Sequence, residues 1–518
     1  MPSRIFAIII VVSFTVNAFP AQEAQQVKPD LILANGRVLD PESGLDAVRH
    51  VAITNGKIVA VSATLLEGKE VVDVKGLVVA PGCIDLHSHS QELPGARMQA
   101  CDGVTTHLEL EAGVMPISAY YDRLAKEGRP INYGASVSWA VARIAAIHNL
   151  KPEGSREFLE KGFLLTDWTE KLATQEQEDQ IIDLIDKGLK DGGVGIGLLA
   201  GYSPEFGKKE NFRIHQLAAK YKVPVFTHIR FTSMIEPRSS FEAYQEVVAM
   251  AASTGAHVHI CHFNSSSAQD IEICARMIAD AQKRLKITTE AYPYGAGSTG
   301  INAAFFRNPN WTKRFKLDYS DMVYLKTGER LTKERMKEIQ EKDPSGLIII
   351  HFLDPENRPG DQALLDRAVL FPGGAIASDA MPWQVDGKTL HGDVWPLPEK
   401  AIAHPRTAGC FSRVLGHYVR ERKVLSLMDA VKRCSLIPAQ ILEESTPQMK
   451  NKGRIKVGAD ADIIVFDADK IGDRATFANP RQTSVGFRLV LVNGTVVVRD
   501  GELVRTAFPG RPIRREKV

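Results

Sequence analysis

The chain has 518 residues, 44% of them apolar, which is enough to bury a large core and to build a main domain beside a smaller one. Its 64 basic and 62 acidic side chains leave a formal charge of +2 and are interspersed rather than blocked. That pattern excludes the electrostatic footprint of a nucleic-acid-binding protein and leaves a small molecule as the expected partner. Six cysteines are too few for a disulfide scaffold. Cys83, Cys101, Cys261 and Cys274 lie in apolar surroundings and are read as buried thiols. Neighbours on a strand face opposite sides, so Cys261 is expected to point away from whatever His262 faces.

From the N-terminus, residues 1–24 read as a signal peptide: Arg4 supplies charge, Ile5 to Val16 the apolar region, and Ala18, Ala21 and Ala24 small residues for cleavage. About twelve apolar residues are too few to span a bilayer. The expectation is a secreted or periplasmic protein with no membrane association after cleavage. Residues 28–80 read as short strands with turn signals at Leu33-Ala-Asn-Gly36, Ile53-Thr-Asn-Gly56 and Lys75-Gly76. The same grammar returns in residues 453–518, at Asp462 to Phe466, Leu489 to Gly494 and Val496 to Val498. Both chain ends are therefore expected to share one composite β-sandwich.

Residues 81–452 change rhythm. Pro81-Gly-Cys-Ile-Asp85-Leu-His87-Ser-His89 places two imidazoles two residues apart at the end of an apolar run, and strand alternation points both the same way, so they can share a metal ion. Alone, such a pair is as compatible with ordinary structural histidines. Three later runs shift the balance: Val225-Phe-Thr-His228-Ile-Arg230, Val258-His259-Ile-Cys-His262 and Ala375-Ile-Ala-Ser-Asp379 each end on a ligand-type residue. Between them lie amphipathic stretches, Phe212 to Tyr221, Phe241 to Ala252 and Ala268 to Arg284. This alternation is that of an α/β fold, a distorted TIM (β/α)8 barrel, in which side chains at distant strand ends converge.

Further strands are expected at Val104 to Glu111, Ile131 to Val137, Val194 to Leu199 and Ile287 to Tyr292. Leu347 to Leu353 is one strand too many and falls in an insertion at about 300–370. Within it, the charged stretch Asn308 to Asp343 reads as a solvated helical cap, and His351 as structural. A further loop, Trp383 to Ala403, lies beyond Asp379 and could reshape a pocket there.

Gly103-Val-Thr-Thr106, Gly201-Tyr202-Ser-Pro204, Tyr292-Pro-Tyr294, His404-Pro-Arg406 and Ala459-Asp-Ala-Asp462, together with the His and Asp series, occur in an order that resembles the amidohydrolase superfamily, and within it the D-aminoacylase (N-acyl-D-amino-acid deacylase) branch. The resemblance runs from about Asp30 to the C-terminus and also implies the barrel with its composite β-domain. It further implies hydrolysis of the amide bond of an N-acyl-D-amino acid by a metal-activated hydroxide, with one or two divalent ions such as Zn2+. Coordination lowers the pKa of water to around 7. His228 and His262 are expected to hold the tighter ion, with His87 and His89 completing that site or holding a second. Asp379 is expected to ligate metal and to carry the proton from water to the departing nitrogen.

Two departures stand out. Val194 to Leu199 lacks the lysine that many amidohydrolases use as a bridge, and Ala112 stands where the D-aminoacylases have a cysteine. In Thr106-His-Leu-Glu-Leu-Glu111, residues His107, Glu109 and Glu111 share one strand face, so Glu111 is expected as the bridging ligand, against a salt-bridged structural role. Tyr202, Tyr292, Ser298 and Arg406 match positions where the family resembles a clamp for the substrate carboxylate and carbonyl. Arg406 suits the carboxylate through its planar fork, and Tyr292 the carbonyl oxygen. The family's lysine after the strand-six histidine is here Asn264, and Arg230 is the expected compensation. The alternative readings are a dipeptidase or cyclic-amide hydrolase of the same superfamily, and a non-catalytic ligand-binding protein.

Overall fold

The computed structural model describes residues 28–154 and 156–517. The expected signal peptide lies outside the described residues.

Eight strands form the centre: β1 (Cys83–Asp85), β2 (Val104–Val114), β3 (Asn132–Ser138), β4 (Ile196–Leu199), β5 (Pro224–His228), β6 (His257–Ile260), β7 (Ile287–Ala291) and β8 (Ala375–Ile376). Each pairs in parallel with the next in chain order. The seam between β8 and β1 closes just beyond the strand ends, where Ser88 bridges Ala380 and the His89 N–H donates to the Ala380 carbonyl at 2.8 Å. Asp85 clasps the same seam, accepting from the Ser378 N–H at 2.9 Å and from the Ser378 hydroxyl.

The expected amphipathic stretches are the helices α1 (Lys208–Tyr221), α2 (Ser240–Thr254) and α3 (Ile271–Gln282). Helix α2 shows why. Ser239 and Glu242 form a capping box, Gly255 ends the helix at φ 72°, and Ala243, Val247 and Ala251 recur every four residues on its buried face. Burial of the Val247 side chain contributes roughly 1.5–3 kcal/mol.

Both chain ends meet in one nine-stranded sheet, in which Val78–Pro81 pairs antiparallel with Ile463–Phe466. The sheet curls until Gly56 and Ile58 bond to Ala461 and Ala459, enclosing Leu33, Val51 and Ile58 with Ile463, Val465 and Leu491. The Asn55-Gly56 and Asn493-Gly494 turns have positive φ at both residues, as a type I′ hairpin turn requires. A Cβ on Gly56 would lie 2.6 Å from the Asn493 carbonyl oxygen, so these two tips touch through bare backbone. The turn expected at Leu33 to Gly36 is instead a bulge inside one ten-residue strand, Leu31–Asp40. Asn35 sits at φ 64° without reversing the chain.

Between β7 and β8 the insertion forms a four-stranded sheet of Gly297–Gly300, Leu347–Ile350, Met322–Tyr324 and Glu329–Arg330. This corrects in part the helical cap expected for Asn308 to Asp343. That segment does hold the helices Trp311–Phe315 and Lys333–Lys342, but also two of these strands, because its scattered apolar residues Trp311, Met322, Tyr324 and Leu331 pack with Phe306 and Ile348 into a small core. The expected extra strand does fall in this insertion.

Candidate metal centre

The six residues expected as ligands arrive from five strand ends. His87 and His89 follow β1, Glu111 lies near the end of β2, His228 ends β5, His262 follows β6 and Asp379 follows β8. Their donor atoms form two triads, His87–His89–Asp379 and Glu111–His228–His262, each with all atoms within 4.8 Å of one another. Glu111 joins the two. Its Oε1 lies 2.7 Å from His262 Nε2 and 3.0 Å from His228 Nδ1, while Oε2 lies 3.2 Å from His87 Nε2 and 3.5 Å from His89 Nε2. Asp379 Oδ1 stands 3.5 Å and 3.6 Å from the same two histidine nitrogens.

Local backbone makes this convergence possible. Between Glu109 and Val114, strand β2 bulges out of register against β3, carrying Glu111 toward β5 and β6. The bulge needs a glycine opposite it, since a Cβ on Gly197 would sit 2.4 Å from the Glu111 carbonyl oxygen. His262 at φ 36° and Asp379 at φ 50° both adopt left-handed conformations uncommon for such residues, a strain that clusters at functional sites.

Behind the donors is a layer that the sequence reading assigned no role. Glu290 Oε1 lies 2.5 Å from His87 Nδ1, and its Oε2 lies 3.1 Å from His259 Nε2. Because an ionised carboxylate only accepts, His87 donates from Nδ1, which leaves Nε2 facing the centre as the atom that a cation would take in place of a proton. Glu109 holds His89 Nδ1 at 3.0 Å, and Ser266 holds His262 Nδ1 at 2.8 Å. Asp85 accepts from the His87 backbone N–H at 3.1 Å. His107, the third residue of the expected β2 face, turns to Gln99 at 2.9 Å. The signal for Glu290 was present in the run Ile287 to Tyr292: it lies on β7 one residue before the strand's end, where the other strands also deliver their site residues.

Electrostatics favour cations here. Burial opposes charge on His89, but the carboxylates of Glu109 and Glu111 outweigh it and lift the imidazole to about 9. His87 is likewise raised against its burial by Glu111, Asp379 and Glu290. Burial raises Glu111, but the surrounding imidazoles prevail and hold it well below the usual carboxylate range. A buried set of carboxylates and imidazoles at this spacing is the donor chemistry of a divalent-ion site, and the residues fit one or two such ions.

One residue lies closer than expected. Cys261 does not point away, because its Sγ is within 4.8 Å of the His87 and Glu111 donor atoms. Strand β6 ends at Ile260, and the left-handed turn at His262 breaks the alternation on which the expectation rested.

A cavity of about 580 Å³ opens over the triads, and three of the five expected substrate residues reach it. Tyr202, Tyr292 and Ser298 line it, and the Ser298 hydroxyl is buried without a hydrogen-bond partner among the described residues. Burial pushes the Tyr292 phenol up to about 12, although Arg406 beside it pulls the other way, so it stays a neutral donor. Arg406 is fully buried one layer behind, its guanidinium 4.3 Å over the Tyr292 ring and its Nη2 2.9 Å from Asp379 Oδ2. None of its nitrogens makes a well-aligned hydrogen bond among the described residues. The Trp383 to Ala403 loop reaches the rim through Gln384, Lys388 and His391.

Arg230 is a correction. Its guanidinium is spent on Glu246 at 2.8 Å and on the carbonyls of Pro204 and Phe206, and it stacks 3.8 Å over the Phe206 ring. Since β5 ends at His228, Arg230 is free to turn outward onto helix α2, and it supplies no charge to the cavity. Asn264 donates to the Tyr292 and Tyr294 carbonyls, a structural task.

Residues 70–317 and 269–498 match the model of the Amidohydrolase family. The chain belongs to this family. An N-acyl-D-glutamate deacylase of Alcaligenes xylosoxydans xylosoxydans is 26% identical, covering 95% of this amidohydrolase chain and 98% of its own. A D-aminoacylase of the same organism is 25% identical, over 90% and 94%. Among solved folds, the N-acyl-D-glutamate deacylase of Bordetella bronchiseptica, crystallised with zinc and a phosphonate inhibitor, superposes with a TM-score of 0.73 at 22% identity, over 94% of this chain and all of the other.

Proposed function

We propose that this amidohydrolase cleaves the amide bond of N-acyl-D-amino acids, releasing a carboxylate and a D-amino acid, and that it does so after export to the periplasm or beyond. The observation that carries the reading is the single line of groups from Arg406 through Asp379 and the two histidine pairs, joined by Glu111. The relatives named for N-acyl-D-glutamate and for D-amino acids support the substrate class. The apolar N-terminal run with its small-residue sites supports export.

His228, His262 and Glu111 would hold one divalent ion, with zinc the expectation, and His87, His89 and Asp379 a second, with Glu111 shared. When bound, such an ion polarises the scissile carbonyl and makes water acidic near neutral pH. The residues of the chain do the rest. The neutral Tyr292 phenol donates to the carbonyl oxygen as negative charge develops there. Asp379 takes the proton of the attacking water and returns it to the nitrogen, which cannot leave as an amide anion. Arg406, whose Nη2 faces Asp379 Oδ2 and whose nitrogens make no well-aligned hydrogen bond among the described residues, would draw the α-carboxylate from behind the Tyr292 ring, which fixes the nitrogen on the Asp379 side. The buried Ser298 hydroxyl supplies a further donor at that end.

An assay of purified protein with N-acetyl-D-amino acids, their L-enantiomers, dipeptides and hydantoins tests this. Turnover confined to the D-series supports it, whereas a preference for dipeptides or hydantoins refutes it. Export is tested by fractionating cells and sequencing the mature N-terminus.

A further inference from the structure

We infer that the acyl arm this site accepts is a long or bulky apolar group rather than acetyl. The inference rests on the deacylase reading and deepens it, because the order of groups along the cavity decides which part of the substrate goes where.

Arg406 touches Asp379, Asp379 faces His87 and His89, Glu111 spans to His228, and the His228 ring lies 4.9 Å from the Tyr202 ring. Beyond Tyr202 stand Phe163 at 5.3 Å and Phe305 at 6.1 Å between ring centroids, with Phe315 5.9 Å from Phe305. A linear N-acyl amino acid with its carboxylate at the end where Tyr292 and Ser298 line the cavity in front of Arg406, and its carbonyl between the triads, sends its acyl group toward His228 and past Tyr202. There it meets an aromatic and aliphatic wall that also includes Leu164 and Leu317.

This wall is built from two separate elements. Phe163 and Leu164 follow the helix Arg156–Gly162, while Phe305 and Phe315 come from the insertion between β7 and β8. Tyr202 is held between them by its hydroxyl, 2.9 Å from Thr299 Oγ1. Arg307, a cation at this end, is committed to Glu170 at 2.6 Å and Thr169 at 2.9 Å. An acetyl group would leave such a wall in water, whereas each buried methylene of a longer arm is worth a few-fold in binding. The amino-acid side chain branches at the opposite end, near Gly297 and Phe352, where a Gly297 Cβ would already be 3.0 Å from the Tyr292 hydroxyl.

The test is kcat/KM of the metal-loaded enzyme for N-acetyl-, N-hexanoyl- and N-decanoyl-D-alanine, beside N-acetyl-D-phenylalanine. A rise of at least about 10-fold from acetyl to decanoyl is expected, with a smaller gain from the phenylalanine side chain. Phe305→Ala should cut the decanoyl-to-acetyl ratio by about 10-fold, and Phe163→Ala, on the other wall, should do the same should Phe305→Ala fail to fold. A flat acyl series, or a gain carried by phenylalanine instead, overturns the inference while leaving the deacylase reading intact. No turnover of any N-acyl-D-amino acid overturns both.

Discussion

Replacing Glu111 with glutamine keeps its volume but removes the charge that four imidazoles share. In the folded chain the two carboxylate oxygens face different triads, Oε1 toward His228 and His262 and Oε2 toward His87 and His89. An amide has one oxygen to accept with, so one triad keeps a ligand and the other faces an NH2 group. Removing one member of a buried, mutually compensating set costs about 3–5 kcal/mol. At 1.4 kcal/mol per decade, that is roughly a 10²-fold to several thousand-fold loss in affinity for the ion that loses its ligand. Elemental analysis after dialysis against dilute chelator should find one metal equivalent fewer per Glu111→Gln chain than in the parent. kcat/KM should fall by at least about 10²-fold, and circular dichroism should show an unchanged fold. Retention of the parent's metal content together with its full rate would refute the shared-carboxylate reasoning.

Three further outcomes are expected. Glu290→Gln should weaken metal binding by about 10- to 100-fold without touching substrate, because the amide brings no charge and only one acceptor oxygen for His87 and His259 together, and competition with a chromogenic chelator measures it. Arg406→Lys should raise KM by more than 10-fold for carboxylate-bearing substrates but much less for their methyl esters, since the ammonium cannot offer two parallel donors; equal losses on acid and ester count against a carboxylate role. The third concerns pH. Burial raises the Glu246 carboxyl, but hydrogen bonds and charge from Arg230 and Lys208 bring it from 4.5 down to about 2. A depressed carboxylate stabilises the fold fully above the unfolded value and loses that contribution as pH falls toward the folded one. About 3 kcal/mol should therefore disappear between pH 4.5 and 2, and urea titrations should show Glu246→Gln with a shallower acid dependence across that window.

Much of the centre was legible because its ligands terminate strongly patterned runs. His87, His89, His228, His262 and Asp379 each close an apolar segment, and strand alternation alone put Glu109 and Glu111 on a shared face. The same alternation misled where a strand had already ended. Cys261 lies beyond the last residue of β6 and Arg230 beyond the last residue of β5, so the period of two no longer governed either side chain. The helical expectation for residues 308–343 held for two helices but missed two strands. Charge density there masked the few apolar residues that form a core of their own. Glu290 and Asp85 carried the right spacing but no partner nearby in sequence, and their contacts to His87 and Ser378 span 203 and 293 residues.

The chain by itself determined the succession of strands and helices, the composite arrangement of its ends and the chemical type of the donors, since these depend on periodicity, turn residues and side-chain identity over short distances. Only the tertiary structure decided that Glu111 stands between two triads, that Arg406 lies behind Tyr292 against Asp379, and that an aromatic wall continues the cavity past His228. Those facts depend on a bulge in β2, on the seam between β8 and β1 and on an insertion folded back over the barrel mouth. Each brings together side chains whose separation in the sequence bears no relation to their separation in space.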